Sequence, residues 1–174
     1  MNDEFDITKL GMGALRDRPD DRDFKYEEIA AAAAPVDWSQ EFRLPEPTDE
    51  HQGSSDSCVA QATSYLHWQH KGKPYSRRDN FSRIFLTYGA YLRDGVAQIC
   101  KTGQQTRDEC PDPSPQTPQN MRVKSDKPDS TGMDDLETNY FSLTSINPDL
   151  LAQAVRDHKG LIFGVWGNWG TWGD

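Results

Sequence analysis

The sequence is short of cysteine, of long apolar runs and of positive charge. Of its 174 residues only Cys58, Cys100 and Cys110 are cysteine. An odd set cannot all pair within one chain, which fits a reducing compartment better than a disulfide-rich secreted scaffold. No apolar run approaches the roughly 18 residues that span a bilayer, so no membrane partner is expected. The opening "MNDEFDITKLGMG" is acidic and has no apolar stretch of the kind a secretory signal carries, which makes the expected location cytoplasmic. A net charge of −9 offers no basic face to phosphates, so nucleic acid is not expected as a partner. With 34% hydrophobic and 27% charged residues, the expected core is polar and its loops long.

Four helices are expected. The first runs from Ser57 to about His70, with Val59, Ala62 and Leu66 on one stripe and Lys71-Gly72-Lys73 as its stop. The second runs from about Asn80 to Tyr88. The third is read from "YLRDGVAQICKTG" and ends at Gly103, with Leu92, Val96 and Ile99 inward. The fourth opens at Asn147-Pro148 and closes at Gly160. "VDWSQEF" reads as extended, "NYFSLT" as a strand and "LIFGVW" as a buried strand. Residues 104 to 135 read as loop, since "CPDPSPQTPQN" carries four prolines and cannot sustain a helix. "LRDRPDDRDFKYEE" has too little apolar surface for a core of its own and reads as an extended arm, mobile or separately docked. A helical turn is expected in the alanines before Pro35.

Cys58 stands at the head of the first helix. A thiol attacks as thiolate, and the unpaired N–H groups of a helix N-terminus favour the anion. Acyl transfer also needs donors for the oxyanion. The Cys58 N–H and the Gln52 side-chain amide are the candidates, and Gly53 lets the intervening loop turn tightly and a substrate approach. Cys100 falls beside the inward face of the third helix and reads as a core thiol. Cys110 lies in a Pro-rich loop and reads as exposed.

The run Gln52-Gly53-Ser54-Ser55-Asp56-Ser57-Cys58 resembles the papain-like cysteine peptidases, in which a glutamine and a glycine precede a nucleophilic cysteine that opens a long central helix. "VDWS" is similar to the start of the mature enzyme in that family. "GAYLRDGVAQICKTG" resembles its glycine-bearing substrate wall and following helix, and "DLLAQAVRDHKGLIFGV" the helix and strand that open its second lobe. "GALRDRPDDRDF" resembles the leader of bacterial members. Two positions depart from the usual signature: Ser55 stands where a cysteine is usual and Val59 where an aromatic is usual.

The resemblance implies an α+β, two-lobed papain-like fold. Residues 1–35 would be a leader covering the groove, 36–138 the helical lobe, and 139–174 the start of a barrel lobe that is incomplete. It implies peptide hydrolysis through a thioester on Cys58, with Gln52 at the oxyanion, no cofactor and no metal. Gly53, Gly89, Ala90, Tyr91 and Leu92 would bind the peptide or protein substrate. The family's histidine and asparagine follow the cysteine by roughly 130 to 150 residues, beyond Asp174, so this chain is expected to lack them and to associate through uncovered barrel-lobe surface.

Among the four histidines, His67 is ~13 Å along the helix from Cys58, too far to take its proton. His67 and His70 read as a solvated helix face rather than a metal pair, and His51 as exposed. His158, at the end of the fourth helix, is a weaker candidate base. Trp166, Trp169 and Trp172 read as a loop packing on a missing lobe. Two alternatives stand beside the peptidase: an inactive papain-like binding module, and a transferase or deamidase on the same cysteine framework.

Overall fold

The computed structural model describes residues 13–21, 23–30, 35–45, 51–86, 89–144 and 146–164. In chain order these form β1 (Ala14–Leu15), α1 (Tyr26–Ala30), α2 (Cys58–Lys71), α3 (Arg77–Ile84), β2 (Ala90–Tyr91), α4 (Leu92–Thr102), α5 (Pro118–Met121), a 3-10 segment at Asp129–Asp135, and α6 (Pro148–His158). The architecture is helix-rich with one small sheet. β1 and β2 pair in parallel, Ala14 opposite Ala90 and Leu15 opposite Tyr91.

The helices begin and end where local chemistry dictates. α2 stops at Gly72, whose left-handed φ of 72° lets its N–H return to the Trp68 carbonyl. Ser76 caps α3 by accepting the Asp79 N–H, so α3 starts at Arg77, three residues earlier than the apolar pattern suggested. It ends at Ile84, because Phe85 is already extended. Asn147 caps α6 through the N–H groups of Asp149 and Leu150, with Pro148 at the first helical position.

Three apolar clusters organise the described residues. Val59, Ile84 and Ala90 form one, packed with Ala14, Cys58 and Leu92, and Ala60, Phe81 and Met121 form another across α2, α3 and α5. The third joins the N-terminal segment to α6, with Tyr26, Ala30 and Ala154 buried among Phe141, Leu143, Leu150 and Leu161. The acidic arm therefore contributes two core residues, and its tyrosine hydroxyl donates to Asp157 at 2.8 Å. Between these groups lies a cavity of about 640 Å³, walled by Leu66, Val96, Ile99, Phe141 and Leu161 among others.

Several expectations are corrected. "NYFSLT" forms no strand; its one sheet-like contact is an isolated parallel bridge from Ser142 to Lys25. Residues 161–164 likewise run without ladder pairing. The chain beside Ser142 is residues 24–26, which turns into α1 at Tyr26, so the pairing stops at a single bridge. "VDWSQEF" turns at Trp38 and Ser39 rather than extending, because the Asp37 carboxylate takes the Ser39 N–H at 3.0 Å. Within the loop at 104–135, Thr117 caps the short α5 and Pro118 opens it, so a proline there starts a helix instead of breaking one. Tyr88, Trp166, Trp169 and Trp172 lie outside the described residues. No helix among the described residues is long and apolar enough to cross a membrane.

Candidate active site

Cys58 is the first residue of α2, and the turn before it is unusual. Asp56 holds a left-handed φ of 56°, and Ser57 sits at φ −95°, ψ 21°, outside the extended region typical of a capping residue. The Ser57 side chain makes no capping bond. Its hydroxyl lies 2.6 Å from Ser55 Oγ and accepts from Gln61 Nε2 at 3.1 Å. The N–H groups of Cys58 and Val59 at the start of α2 act on the sulfur in the direction that favours the thiolate.

A third donor comes from far away in sequence. The Gly13 N–H also meets the Cys58 sulfur. On its other side, Gly13 gives its carbonyl to the Ala90 N–H at 2.6 Å. An extended chain therefore lies along Gly89–Tyr91, beside the thiol, and that chain is the protein's own residues 13–15. The fit admits only glycine at its tightest point. A Cβ on Gly13 would stand 1.5 Å from the Asp56 carbonyl oxygen, which no side chain can occupy. Ala14 packs with Cys58 and Leu92 against Val59 and Ala90.

Burial under this cover pushes the Cys58 thiol above its ordinary pKa, and the nearby Asp56 charge adds to the rise. The three N–H donors act in the opposite direction and lose. The helix N-terminus was expected to favour the thiolate; with the arm in place, desolvation wins. Burial raises Cys100 as well, with Glu137 a smaller cause. All three cysteines are free thiols. Cys110 is not exposed but completely buried, because Arg78 reaches back over the Pro-rich loop and places Nε and a terminal nitrogen each 3.3 Å from its sulfur.

Gln52 precedes this turn. Its backbone carbonyl accepts the Ser55 hydroxyl at 2.6 Å, and its side-chain Oε1 is buried without a hydrogen-bond partner among the described residues. Gly53 adopts a φ of 61°, and a Cβ there would stand 2.5 Å from the Gln116 carbonyl. Its smallness thus serves the approach of the Pro-rich loop. Ser55 is fully buried and ties Gln52 to Ser57 through its hydroxyl.

The arm is held by more than the two-residue sheet. Arg93, in the first turn of α4, sends Nε to the Asp23 carboxylate at 3.1 Å and its backbone N–H to Asp17 at 3.4 Å. Sequence reasoning passed over Arg93, Asp17 and Asp23, since a mixed-charge stretch reads as solvated until its partner is known.

The histidines lie elsewhere. His67 is buried, not solvated: its ring stacks on Tyr75 at 3.8 Å, with Nδ1 at Gln104 Oε1 and Nε2 at the Asp135 carbonyl. Burial lowers its pKa. His70 Nε2 bonds the His158 carbonyl, and the His158 ring packs on Tyr26 and Phe141. His158 therefore sits at the C-terminal end of α2, about 18 Å along the helix axis from Cys58. His51 Nδ1 takes the Gly53 N–H at 2.9 Å. No metal-binding cluster of His, Cys, Asp or Glu occurs among the described residues.

Among solved structures, the chain is similar to xylellain, a cysteine protease from Xylella fastidiosa, with 22% sequence identity and a TM-score of 0.58. The likeness covers 84% of this chain and 63% of that one, so this chain spans less than two thirds of the neighbour's length. No family model and no curated protein matches the sequence. At this identity the likeness speaks for the fold: this helix-rich arrangement with its small sheet is one that a cysteine protease also uses.

Proposed function

We propose that the chain is a papain-like cysteine peptidase held closed by its own N-terminal arm. The observation that carries this reading is the extended segment at residues 13–15, lodged between Cys58 and the Gly89–Tyr91 edge. A surface that binds one extended backbone beside a thiol suits a peptide substrate. In this role Cys58 attacks the scissile carbonyl and forms a thioester, which water then hydrolyses. Gln52 and the Cys58 N–H serve the oxyanion, and Gly89, Ala90, Tyr91 and Leu92 line the peptide's path. The arm escapes attack because it shows the sulfur a donor, the Gly13 N–H, while its carbonyl is turned to Ala90. A nucleophile facing an N–H has no electrophile within reach.

The test is a peptidyl electrophile, with and without residues 1–16. That deletion spares Tyr26 and Ala30, which belong to the core. Removing the cover also removes the burial that raises the thiol's pKa. Cys58 labelling should therefore increase, and its pH inflection should move down, while Cys100 and Cys110 stay as they were. Equal Cys58 labelling in both proteins would sink the reading.

One observation favours a second reading, a papain-like binding module without turnover: none of the four histidines meets Cys58. A fluorogenic peptide assay on the shortened chain separates the two. The 174-residue chain is expected to show little or no turnover by itself, since no placed imidazole protonates the leaving amine. Robust turnover lost on His51→Ala would make His51 the base.

A further inference from the structure

We propose that Gln61 and Gln116 are positioning residues for the Cys58 thiol: through Ser57 and Ser55 they hold a hydroxyl away from the first turn of α2, leaving the positive end of that helix uncapped where Cys58 opens it. This rests on Cys58 being the nucleophile and concerns how its reactivity is set.

The direction of each bond can be assigned. The Ser55 hydroxyl gives its proton to the Gln52 carbonyl at 2.6 Å. Ser55 Oγ has no second proton, so in the 2.6 Å contact between the two serines Ser57 is the donor. Ser57 Oγ in turn accepts from Gln61 Nε2, whose other proton goes to Gln116 Oε1 at 2.8 Å. The relay therefore runs from Gln61 through Ser57 and Ser55 to the Gln52 main chain, with Gln116 fixing the amide at its head. Ser55 and Ser57 are both fully buried. Every proton of the relay is committed.

A serine at this position ordinarily turns its oxygen onto the second or third N–H of the helix. Ser76, Thr117 and Asn147 all do so at their own helices. Ser57 does not: the relay engages its hydroxyl on both sides and with it holds the Ser57 backbone outside the extended region. If it capped α2, it would compete with the sulfur for the same donors. The relay thus withholds a stabilising bond from the helix and keeps its positive end for the thiolate. Its far end also fixes the loop bearing Gln52, so one chain of bonds sets both the nucleophile and the expected oxyanion donor. Gln116 belongs to the Pro-rich loop, which gives that excursion a task at the site.

The experiment is a double-mutant cycle in the full chain: wild type, Gln61→Ala, Ser57→Ala and the pair. Iodoacetamide labelling of Cys58 is followed by peptide mapping across pH 6 to 10, and thermal midpoints are measured in parallel. In Gln61→Ala the freed Ser57 hydroxyl should turn to the helix. Labelling near neutral pH should fall about two- to fivefold, the range for a charge losing a helix-end interaction. Its inflection should move to higher pH, and the midpoint should hold or rise because α2 gains a cap. In the Ser57→Ala background, Gln61→Ala should leave the inflection where Ser57→Ala puts it. A residue that merely supports the fold gives the opposite pattern: a lower midpoint and faster labelling of Cys58 and Cys100 together. That pattern, an unmoved inflection in Gln61→Ala, or a shift that persists without the Ser57 hydroxyl would each overturn the proposal. Failure of the nucleophile reading shows separately, as unchanged Cys58 labelling when residues 1–16 are removed; the inflection in Gln61→Ala would still report whether the hydroxyl turns.

Discussion

Gly13→Ala should open the groove. The added methyl cannot coexist with the Asp56 carbonyl at 1.5 Å, so the arm must move away or the turn before Cys58 must yield. Overpacking of this kind costs about 1–3 kcal/mol, here charged to the docked state of the arm. The accessible population of Cys58 should then rise roughly 5- to 150-fold. Its alkylation should follow, with an inflection at lower pH, because desolvation is the chief cause of the raised thiol pKa. The Arg93 contacts to Asp17 and Asp23 and the packing of Tyr26 remain, so the segment stays tethered close by. The measurement is Cys58 labelling by a peptidyl electrophile in Gly13→Ala and wild type, with thermal midpoints to show that the fold is kept. Equal rates would mean that the turn yields instead, and that residues 13–15 do not gate the thiol.

Asp79→Ala should cost the most stability. Asp79 is 2% exposed, and one carboxylate oxygen takes two bonds from Arg83, at 3.0 and 2.7 Å. The other takes the Gln105 N–H at 2.9 Å. Removing the carboxylate leaves the Gln105 N–H unpaired and the nearly buried Arg83 guanidinium with only Asp129 at 3.3 Å and Thr102 at 3.0 Å, a loss of about 3 kcal/mol, the low end for a broken buried pair. A domain of this size has roughly 5–15 kcal/mol to lose. The urea midpoint should fall by roughly 1 to 3 M. Replacing both charges, Asp79→Leu with Arg83→Met, should recover only part of the loss, since the Gln105 N–H stays unpaired. A single-mutant loss below about 1 kcal/mol, in the range of an exposed pair, would show that water reaches this site.

The local signals and the long-range ones fared differently. α2 and its end at Gly72 were legible, because an apolar stripe and a left-handed glycine act within one turn. So was the start of α6, where Asn147 and Pro148 make a cap by themselves. α3 was misplaced by three residues because Ser76, not the first aromatic, decides where it begins. His67 was misread as solvated: its partners Gln104 and Asp135 lie 37 and 68 residues away, and a helical wheel cannot see them. Cys110 was misread for the same reason, since Arg78 comes from another element. At the site, the cysteine at a helix head and the glutamine before it were visible as spacing. The arm's path was not, because Gly13 meets Ala90 across most of the helical region, and nothing local marks a glycine as the point of passage.

The interior described above is amide- and hydroxyl-rich. Among the largest fully buried side chains of the described residues, His67, Gln104, Gln105, Asn80, Thr63 and Asp79 stand beside Tyr26, Phe81 and Met121. Hydrating apolar surface raises the heat capacity of the unfolded chain by about 0.45 cal/K/mol per Å², whereas hydrating polar surface lowers it by about 0.26. A core with this mixture gives a smaller heat-capacity increment per residue than the usual ~12–15 cal/mol/K. The dome of stability against temperature is correspondingly shallow, so the folded chain keeps nearly the same margin over a wide span of temperature.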